Sequence, residues 1–298
     1  MLVPSWLVPV VLRLTRRNQP YVPAEGARRR VDERVANPAS FDPPPLGDAV
    51  DVAVRHDDGW PIFTLSPTGT TPTGNVVYLH GGAWVNEIVR QQWQLAAQIA
   101  IEANTTVAVP IYPLVPFGTA TPVALRVAAL VEAGIAAHGM VCLVGDSAGG
   151  QIALSVAQVL RDAGIRLPQT LLIAPALDLT WSNPRIPSIQ SSDPWLAVPG
   201  GRVLAALWSG DADIRDPLVS PLFGEFDGLG AITVFTGTRD VLNADVPLLE
   251  ATARAAGVDI TVIEREGQVH VYPLLPTAIG RDARAAITGI LARAVRAG

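Results

Sequence analysis

The sequence predicts an α/β fold in which helices cover both faces of a mostly parallel sheet. Short apolar runs alternate along the chain with longer segments of helical pattern, which is typical of parallel sheets buried on both faces. One of these runs leads into a serine flanked by glycines, at 145–149, and an Ala-rich helical segment follows directly. A strand, a sharp turn and a helix in this order belong to the same fold class.

Each predicted strand of the sheet is a short, mostly apolar run. These runs are 75–79, 105–111, 140–144, 170–174, 231–236 and 259–263. The segments of helical pattern are 84–103, 122–137, 151–163, 247–256 and 276–297. Ahead of them, alternating residues at 50–55 and 60–65 flank an Asp-Gly turn signal and predict a β-hairpin.

Two stretches depart from this alternation. Residues 18–48 are rich in proline and arginine without a regular period, and we interpret them as a surface arm. Residues 181–211 contain several prolines and a short helical piece near 202–208, and their length indicates an insertion or lid. A chain of 298 residues, 49% of them hydrophobic, can form one sizeable core. We therefore expect an N-terminal arm over 1–45 and one main domain over 46–298.

The composition excludes several kinds of chemistry. All 22 basic residues are arginine, so no lysine amine is present for a Schiff base, a P-loop or a Ser–Lys hydrolase. The net charge of −5, without aromatic residues among the basic ones, predicts no nucleic-acid partner. The four histidines are widely spaced and Cys142 is the single cysteine, so we expect no metal site, no cofactor and no internal disulfide.

The first 14 residues are largely apolar, and Arg13, Arg16 and Arg17 come at or after the end of this run. A secretory signal peptide has its positive charges first, and a bilayer-spanning helix needs a longer run without prolines. We therefore expect a cytoplasmic protein in which residues 5–17 form an apolar-faced helix that packs on the body or contacts an apolar substrate. Contact of residues 1–17 with a membrane surface is the alternative interpretation.

Ser147 is the candidate nucleophile. It is the central residue of Gly-Asp-Ser-Ala-Gly at 145–149. A tight turn there lifts its hydroxyl clear of the sheet, and side chains two residues before and after it would collide. The amide of Ala148 can face a bound substrate, and the following helix directs its positive dipole end at the site. Taken alone, the pattern also fits a serine at an ordinary glycine-rich helix start.

Acyl transfer by serine also needs a base, a group that orients the base, and donors to an oxyanion. His270 is the only histidine after Ser147, and Asp240 follows a predicted strand, where functional residues of parallel sheets are found. Asp245 is the rival acid, and it could instead cap the helix that follows it. The glycines of His-Gly-Gly-Ala-Trp at 80–84 allow backbone amides to face a substrate carbonyl.

Three motifs together resemble the hormone-sensitive-lipase-like family, the bacterial carboxylesterase and lipase branch of the α/β-hydrolases. They are His-Gly-Gly-Ala-Trp at 80–84, Gly-Asp-Ser-Ala-Gly-Gly at 145–150 and Asp-Pro-Leu-Val-Ser-Pro at 216–221. The resemblance implies an eight-stranded, mostly parallel sheet under a cap. In that family N-terminal helices and an insertion build the cap, and residues 1–45 and 181–211 are their counterparts here.

The resemblance also assigns a catalytic triad and an oxyanion hole. The implied triad residues are Ser147, Asp240 and His270. The implied oxyanion donors are the backbone amides of Gly81, Gly82 and Ala148. The motif at 216–221 would support the loop that carries the acid. Related enzymes are often dimers through the last strand or helix, so the resemblance also implies a homodimer.

Two departures from the family pattern concern the walls of the site. Where the family usually has Tyr-Arg-Leu-Ala-Pro-Glu, this chain has Tyr-Pro-Leu-Val-Pro-Phe at 112–117, without the arginine and the glutamate. This departure affects the packing of that loop and one wall of the pocket. The residue after His270 is Val271, where the family usually has glycine, and its side chain could narrow the mouth of the pocket.

The residues predict a serine carboxylic-ester hydrolase, an esterase or lipase, and the resemblance implies acyl esters of short to medium chain length. An amidase or an acyltransferase would use the same triad, whereas a non-catalytic binding protein of this fold would be expected to lack His270. All tryptophans except Trp60 fall in the arm, the oxyanion segment or the insertion. We interpret Trp84, Trp195 and Trp208 as candidates for an apolar acyl pocket, and packing of the cap onto the body is the equal alternative.

Overall fold

One eight-stranded sheet forms the centre of the computed structural model, which describes residues 2–296. Met1 of the predicted arm and Ala297 of the predicted last helix lie outside the described residues, as does Gly298. The strands are β1 (Val50–Asp57), β2 (Trp60–Pro67), β3 (Asn75–Leu79), β4 (Thr106–Pro110), β5 (Val141–Asp146), β6 (Gln169–Ile173), β7 (Ala231–Arg239) and β8 (Ile260–Val269).

The strand order across the sheet is β1-β2-β4-β3-β5-β6-β7-β8. The β1–β2 hairpin and the β2–β4 pair are antiparallel, and every other neighbouring pair is parallel. The predicted class, a mostly parallel sheet with eight strands, is therefore confirmed. The hairpin is also formed, and its turn is the predicted Asp58-Gly59.

Helices pack on both faces because the inner strands are apolar on both sides. Every residue of β5 and of β6 is buried. Successive side chains of a strand point to opposite faces. Along β3, Val77 and Leu79 accordingly join one buried apolar cluster, while Val76 and Tyr78 join the other. The continuous apolar runs in the sequence follow from this two-sided burial.

Nine α-helices surround the sheet in the described part of the chain. They are α1 (Leu7–Leu14), α2 (Ala24–Ala36), α3 (Arg90–Ala103), α4 (Ala120–His138), α5 (Ala148–Asp162), α6 (Ile186–Gln190), α7 (Val198–Ser209), α8 (Val246–Ala255) and α9 (Ala278–Ala294). Of these, only α4 is long and apolar enough to cross a membrane, a test that core helices also pass. One side of α4 packs against α5 and the sheet.

Residues 18–48 contain a helix, so the interpretation of this stretch as a non-periodic arm is wrong. The helix α2 is strongly polar, and its buried residues are only Gly26, Ala27 and Val31. Because so few residues of α2 are buried, the sequence shows little helical periodicity of apolar residues. Packing of the buried face against α7 stabilises the helix. Alanine, glutamate and arginine also have high helix propensity, which favours helix in a proline-free stretch.

The helix after β3 begins at Arg90 rather than at the predicted residue 84. The preceding residues Gly82, Ala83 and Trp84 have φ angles of 141°, 54° and 58°, which a right-handed helix cannot contain. The Val89 amide then donates to Oε1 of Gln92 at 2.8 Å and satisfies one of the first donors of α3. The apolar residues from 84 onward therefore belong to a turn packed in the core.

The segment predicted as an insertion contains α6 and α7, and the N-terminal residues lie against it. The helical piece expected near 202–208 is the longer α7. The Gly200 amide at its start donates to the Tyr21 carbonyl at 2.8 Å, and the Arg13 guanidinium donates to the Ser192 carbonyl at 3.3 Å. The division at residues 45 and 46 and the assignment of both segments to one cap remain predictions.

Candidate active site

The three predicted triad residues lie together at one edge of the sheet. Ser147 follows β5, Asp240 follows β7 and His270 follows β8. The carboxyl ends of these parallel strands meet at the same edge, so residues far apart in sequence become neighbours. All three side chains are buried or nearly so, with Ser147 the most exposed at 9%.

A strained turn presents Ser147 between β5 and α5. Its φ and ψ angles are 54° and −117°, a conformation that non-glycine residues rarely adopt. A Cβ on Gly145 would lie 2.2 Å from the Gly149 carbonyl oxygen, and one on Gly149 would lie 2.0 Å from the Leu79 oxygen. Both glycines are therefore required by close backbone approach, as predicted from the sequence.

Hydrogen bonds link the three side chains in series. His270 Nε2 lies 2.9 Å from Oγ of Ser147, and Nδ1 lies 2.8 Å from Oδ2 of Asp240. The carboxylate can only accept, so Nδ1 carries the hydrogen and Nε2 is left as an acceptor for the serine proton. The other oxygen of Asp240 accepts the Leu242 amide at 3.0 Å, which fixes the carboxylate in this orientation.

Asp245, the rival acid, lies away from His270. Its side chain does not cap α8, and it accepts a hydrogen bond from Nδ2 of Asn183 at 2.8 Å. Burial raises the pKa of Asp245 to about 6. Of the two aspartates, the structure brings only Asp240 to the imidazole.

The electrostatic surroundings of His270 favour its protonated form. Burial by itself lowers the pKa of a histidine, because it disfavours the charged form. The nearby carboxylates of Asp240, Asp193 and Asp146 outweigh this effect and raise the pKa of His270 above its usual 6.5. The imidazolium that forms when the serine is deprotonated is therefore stabilised in place.

A buried carboxylate that the sequence interpretation passed over joins the serine turn to the loop after β3. Asp146, the last residue of β5, accepts from the Tyr78 hydroxyl at 2.6 Å, the Gly81 amide at 3.0 Å and the Gln92 amide group at 2.9 Å. Burial raises its pKa, and these donors oppose the rise. The signal in the sequence is an acidic residue at the end of an otherwise apolar strand.

The use of the Gly81 amide contradicts its assignment as an oxyanion donor. That N–H already points at Asp146. Among residues 2–296, the amides of Gly82, Ala83 and Ala148 have no backbone or side-chain acceptor. Gly82, Ala83 and Ala148 are therefore the candidate donors, and the first two lie in a turn with positive φ angles at residues 82–84. Gly81 is instead required sterically, since a Cβ there would lie 2.9 Å from the Ser147 Cβ.

Asn86 connects the oxyanion turn to the N-terminal segment. Its Nδ2 donates to the Gly82 carbonyl at 2.9 Å and to the Tyr21 hydroxyl at 3.3 Å. Its Oδ1 accepts from Nε of Arg30, on α2, at 2.9 Å. The role of Asn86 has no signal in the sequence, because its partners Tyr21 and Arg30 lie more than 50 residues earlier in the chain.

The three candidate pocket tryptophans occupy two different environments. Trp84 and Trp208 are buried and stacked, with ring centroids 5.9 Å apart, and both donate to Oε1 of Gln151. Trp195 is half-buried, and its ring meets the His270 ring edge-on at 5.8 Å. Of the three, only Trp195 contacts a triad residue. A pocket role for any of them remains a prediction.

The motif at 216–221 makes hydrogen bonds with α5 and with the segment after β6. Ser155 of α5 donates to the Pro217 carbonyl at 2.8 Å, and Ser220 accepts the Leu179 amide at 2.9 Å. These bonds brace α5, the helix that begins directly after Ser147. Support of the loop that carries Asp240 by this motif remains a prediction.

The loop at 112–117 and Val271 were the two departures from the family pattern. The Tyr112 hydroxyl donates to the His80 carbonyl, and the two rings stack with centroids 4.5 Å apart.

Val271 is buried in the core and has a φ angle of 45°. Its side chain belongs to the buried apolar cluster that also contains residues of α9.

Within residues 2–296, no three histidine, cysteine, aspartate or glutamate side chains are arranged to hold a metal ion. The groups that meet at the site are a nucleophile, a base, an orienting carboxylate and unpaired backbone amides. Together they can form a covalent bond to an electrophilic carbonyl and stabilise the resulting oxyanion.

Comparisons with known proteins agree with this chemistry. The sequence pattern of the alpha/beta hydrolase fold family matches residues 76–274. A triacylglycerol lipase of Mycobacterium tuberculosis is 34% identical over 78% of this chain, and the match spans only 50% of that lipase. An acetyl-hydrolase of Streptomyces hygroscopicus is 30% identical over 67% of this chain and 70% of its own length.

Solved structures show the same fold. An esterase from the bacterial hormone-sensitive lipase family superposes with a TM-score of 0.79, at 25% identity, over 91% of this chain and 98% of its own. The esterase EstE5, in a crystal soaked with p-nitrophenyl butyrate, superposes with a TM-score of 0.82 at 23% identity, over 99% of both chains.

The raised pKa of His270 predicts how reactivity of Ser147 depends on pH. His270 must be neutral to accept the serine proton, so covalent labelling by a fluorophosphonate will fall as the pH drops through its pKa. Because this pKa lies above 6.5, the midpoint of the fall is expected above pH 6.5. Labelling rates between pH 5 and 9, followed by mass spectrometry, measure it. A rate that does not change with pH contradicts the prediction.

Proposed function

The chain belongs to the alpha/beta hydrolase fold family, in its hormone-sensitive-lipase-like branch, and from this premise we propose that it hydrolyses carboxylic esters through an acyl-enzyme on Ser147. The observation that carries the proposal is the hydrogen-bonded series from Ser147 through His270 to Asp240. The relatives named lipase and acetyl-hydrolase support the same reaction.

In the first half of the reaction, Oγ of Ser147 attacks the ester carbonyl carbon while Nε2 of His270 takes the hydroxyl proton. The carbonyl oxygen becomes an oxyanion, and the amides of Gly82, Ala83 and Ala148 are the proposed donors to it. One donor of this kind typically lowers a barrier by roughly 2.7–4 kcal/mol. Nε2 then gives its proton to the departing alkoxide as the carbon–oxygen bond breaks.

In the second half, a water molecule gives a proton to Nε2 of His270, and its oxygen attacks the acyl carbon. The same amides hold the second oxyanion. Proton return to Oγ of Ser147 then accompanies release of the carboxylic acid. Throughout, Asp240 keeps Nδ1 protonated and stabilises the imidazolium.

The proposed substrates are acyl esters of short to medium chain length. Trp195, edge-on to His270, is the proposed wall of the acyl or alcohol pocket. Trp84 and Trp208 have little surface left for a ligand, and packing of the cap onto the body is the alternative role for them. An amidase or acyltransferase would use the same residues, and product analysis separates these reactions from ester hydrolysis.

Contact with a membrane surface is a further proposal for the first 17 residues. Trp6, Val10 and Leu14 follow one another at four-residue spacing, which places them on one face, and they are 70%, 41% and 78% exposed. Exposed arginines at 13, 16 and 17 flank this face, which suits an anionic lipid surface.

A homodimer is the other proposal about partners. β8 is one of the two edge strands of the sheet, and an edge strand is a place where a strand of a second copy could pair. Sedimentation equilibrium over a range of concentrations tests it, and a monomer at all concentrations contradicts it.

Ester hydrolysis is tested with p-nitrophenyl esters from acetate to palmitate. Wild type is expected to be active with a peak at short or medium chains, and Ser147→Ala is expected to lose on the order of 10⁴–10⁶ in turnover. Ser188→Ala, which removes an exposed serine of α6, is the control and should match wild type. A folded Ser147→Ala variant within tenfold of wild type overturns the assignment of the nucleophile.

The same ester series tests the pocket. Trp195→Ala is expected to move the preferred chain length without a large loss of stability, since this ring is half-buried. Trp84→Ala and Trp208→Ala are expected to lower the free energy of unfolding by about 3–5 kcal/mol. If those two variants instead change chain-length preference at unchanged stability, they line the pocket and the packing role is wrong.

Vesicle co-sedimentation tests the membrane contact. Wild type is expected to bind vesicles that contain phosphatidylserine and to be released by salt, because screening weakens the attraction of the arginines. Replacing both Trp6 and Leu14 by serine should abolish binding. Leu248→Ser, which removes an exposed leucine of α8, is the control. Equal binding by the double variant overturns this proposal.

A further inference from the structure

A buried carboxylate of the insertion, residues 181–211, bonds the backbone directly after Asp240. Asp193, between α6 and α7, is only 6% exposed. Its Oδ2 accepts the amide of Val241, the residue directly after Asp240, at 2.8 Å. Its Oδ1 accepts the amides of Trp195 at 2.7 Å and of Leu196 at 3.0 Å. One side chain therefore joins the insertion to the acid loop.

The same carboxylate sets the position of the aromatic ring beside the base. Trp195 is two residues after Asp193, and its backbone is fixed by the hydrogen bond to Oδ1. Its ring packs edge-on against the His270 ring, at an interplanar angle of 89°. Asp193 thus holds one neighbour of each of two triad residues, Asp240 on one side and His270 on the other.

The carboxylates around His270 all favour its protonated form. The groups that face His270 are Asp240 after β7, Asp146 at the end of β5 and Asp193 from the insertion, and each raises its pKa. Burial, and then the negative charge of Asp240, raise the pKa of Asp193 to about 6, while the three amides oppose the rise. Arg13 of α1 lines the same cleft as Asp193, a space of about 360 Å³.

We propose that Asp193 is a positioning residue of the triad: it fastens the insertion to the acid loop and holds Trp195 against His270. The proposal rests on the proposed function. Asp193 does not touch the reacting atoms, and it acts through Val241 and Trp195. Its negative charge adds to that of Asp240 in stabilising the imidazolium, so the insertion contributes to the chemistry as well as covering the site.

The test replaces Asp193 by asparagine, which has the same shape without the charge. The asparagine oxygen can still accept the Trp195 amide, but its NH₂ group then faces the Val241 N–H. Fluorophosphonate labelling of Ser147 is expected to slow by up to about 10²-fold at high pH, as for a small misplacement of reacting groups. The midpoint of the acidic limb is expected to move to lower pH, because removal of the charge lowers the pKa of His270.

Asp245→Asn is the matched control. Asp245 is also a buried aspartate near the acid loop, but its charge is not among those that act on His270. Its labelling rate and acidic limb are expected to match wild type. Thermal unfolding of each variant shows whether a loss of rate comes from a loss of folded protein.

Asp193→Glu separates charge from position. A glutamate keeps the negative charge and lengthens the side chain, so the rate should fall while the acidic limb stays closer to that of wild type. An acidic limb in folded Asp193→Asn that coincides with that of wild type, at an unchanged plateau rate, overturns the inference.

The two proposals fail in different ways. Wild type that is labelled at Ser147 but hydrolyses no ester contradicts the proposed function and leaves the pH comparison valid. Wild type that is not labelled at any pH overturns both, since the serine is then not activated by His270.

Discussion

The position of the whole site depends on the hydrogen bonds made by the buried carboxylate of Asp146. This group accepts from Tyr78 on β3, from Gln92 on α3 and from the amide of Gly81. A buried carboxylate is costly without such donors, and the donors would be equally costly without it. The serine turn and the loop after β3 are therefore held at one relative position, which leaves the amides of Gly82 and Ala83 free.

Close backbone contacts, which leave no room for side chains, also hold the serine turn against the loop after β3. Gly149 approaches the Leu79 carbonyl, and Gly81 approaches the Ser147 Cβ, at distances that exclude any Cβ. The strained φ angle of Ser147 is maintained because these neighbours leave the turn no other course. Steric contacts and hydrogen bonds thus act together where β3 and β5 end and α5 begins, and they fix the position of Ser147.

The two segments outside the sheet each reach the site through polar contacts. Tyr21 and Arg30 of the N-terminal segment both bond Asn86 in the loop after β3, and Nδ2 of Asn86 also donates to the Gly82 carbonyl. The insertion contacts the acid loop through Asp193. Both segments are therefore linked by hydrogen bonds to loops that carry residues of the site.

The sequence by itself determined the sheet, the order of its elements and the triad candidates, because apolar runs and the Gly-Asp-Ser-Ala-Gly turn are local signals. It did not determine which amides remain free, that α2 is a helix, or that Asp193 lies beside the acid loop. Each of these depends on partners distant in sequence: Gly81 on Asp146, α2 on α7, and Asp193 on Val241. Only the tertiary structure decides them, because a hydrogen bond or a packed face needs both of its sides.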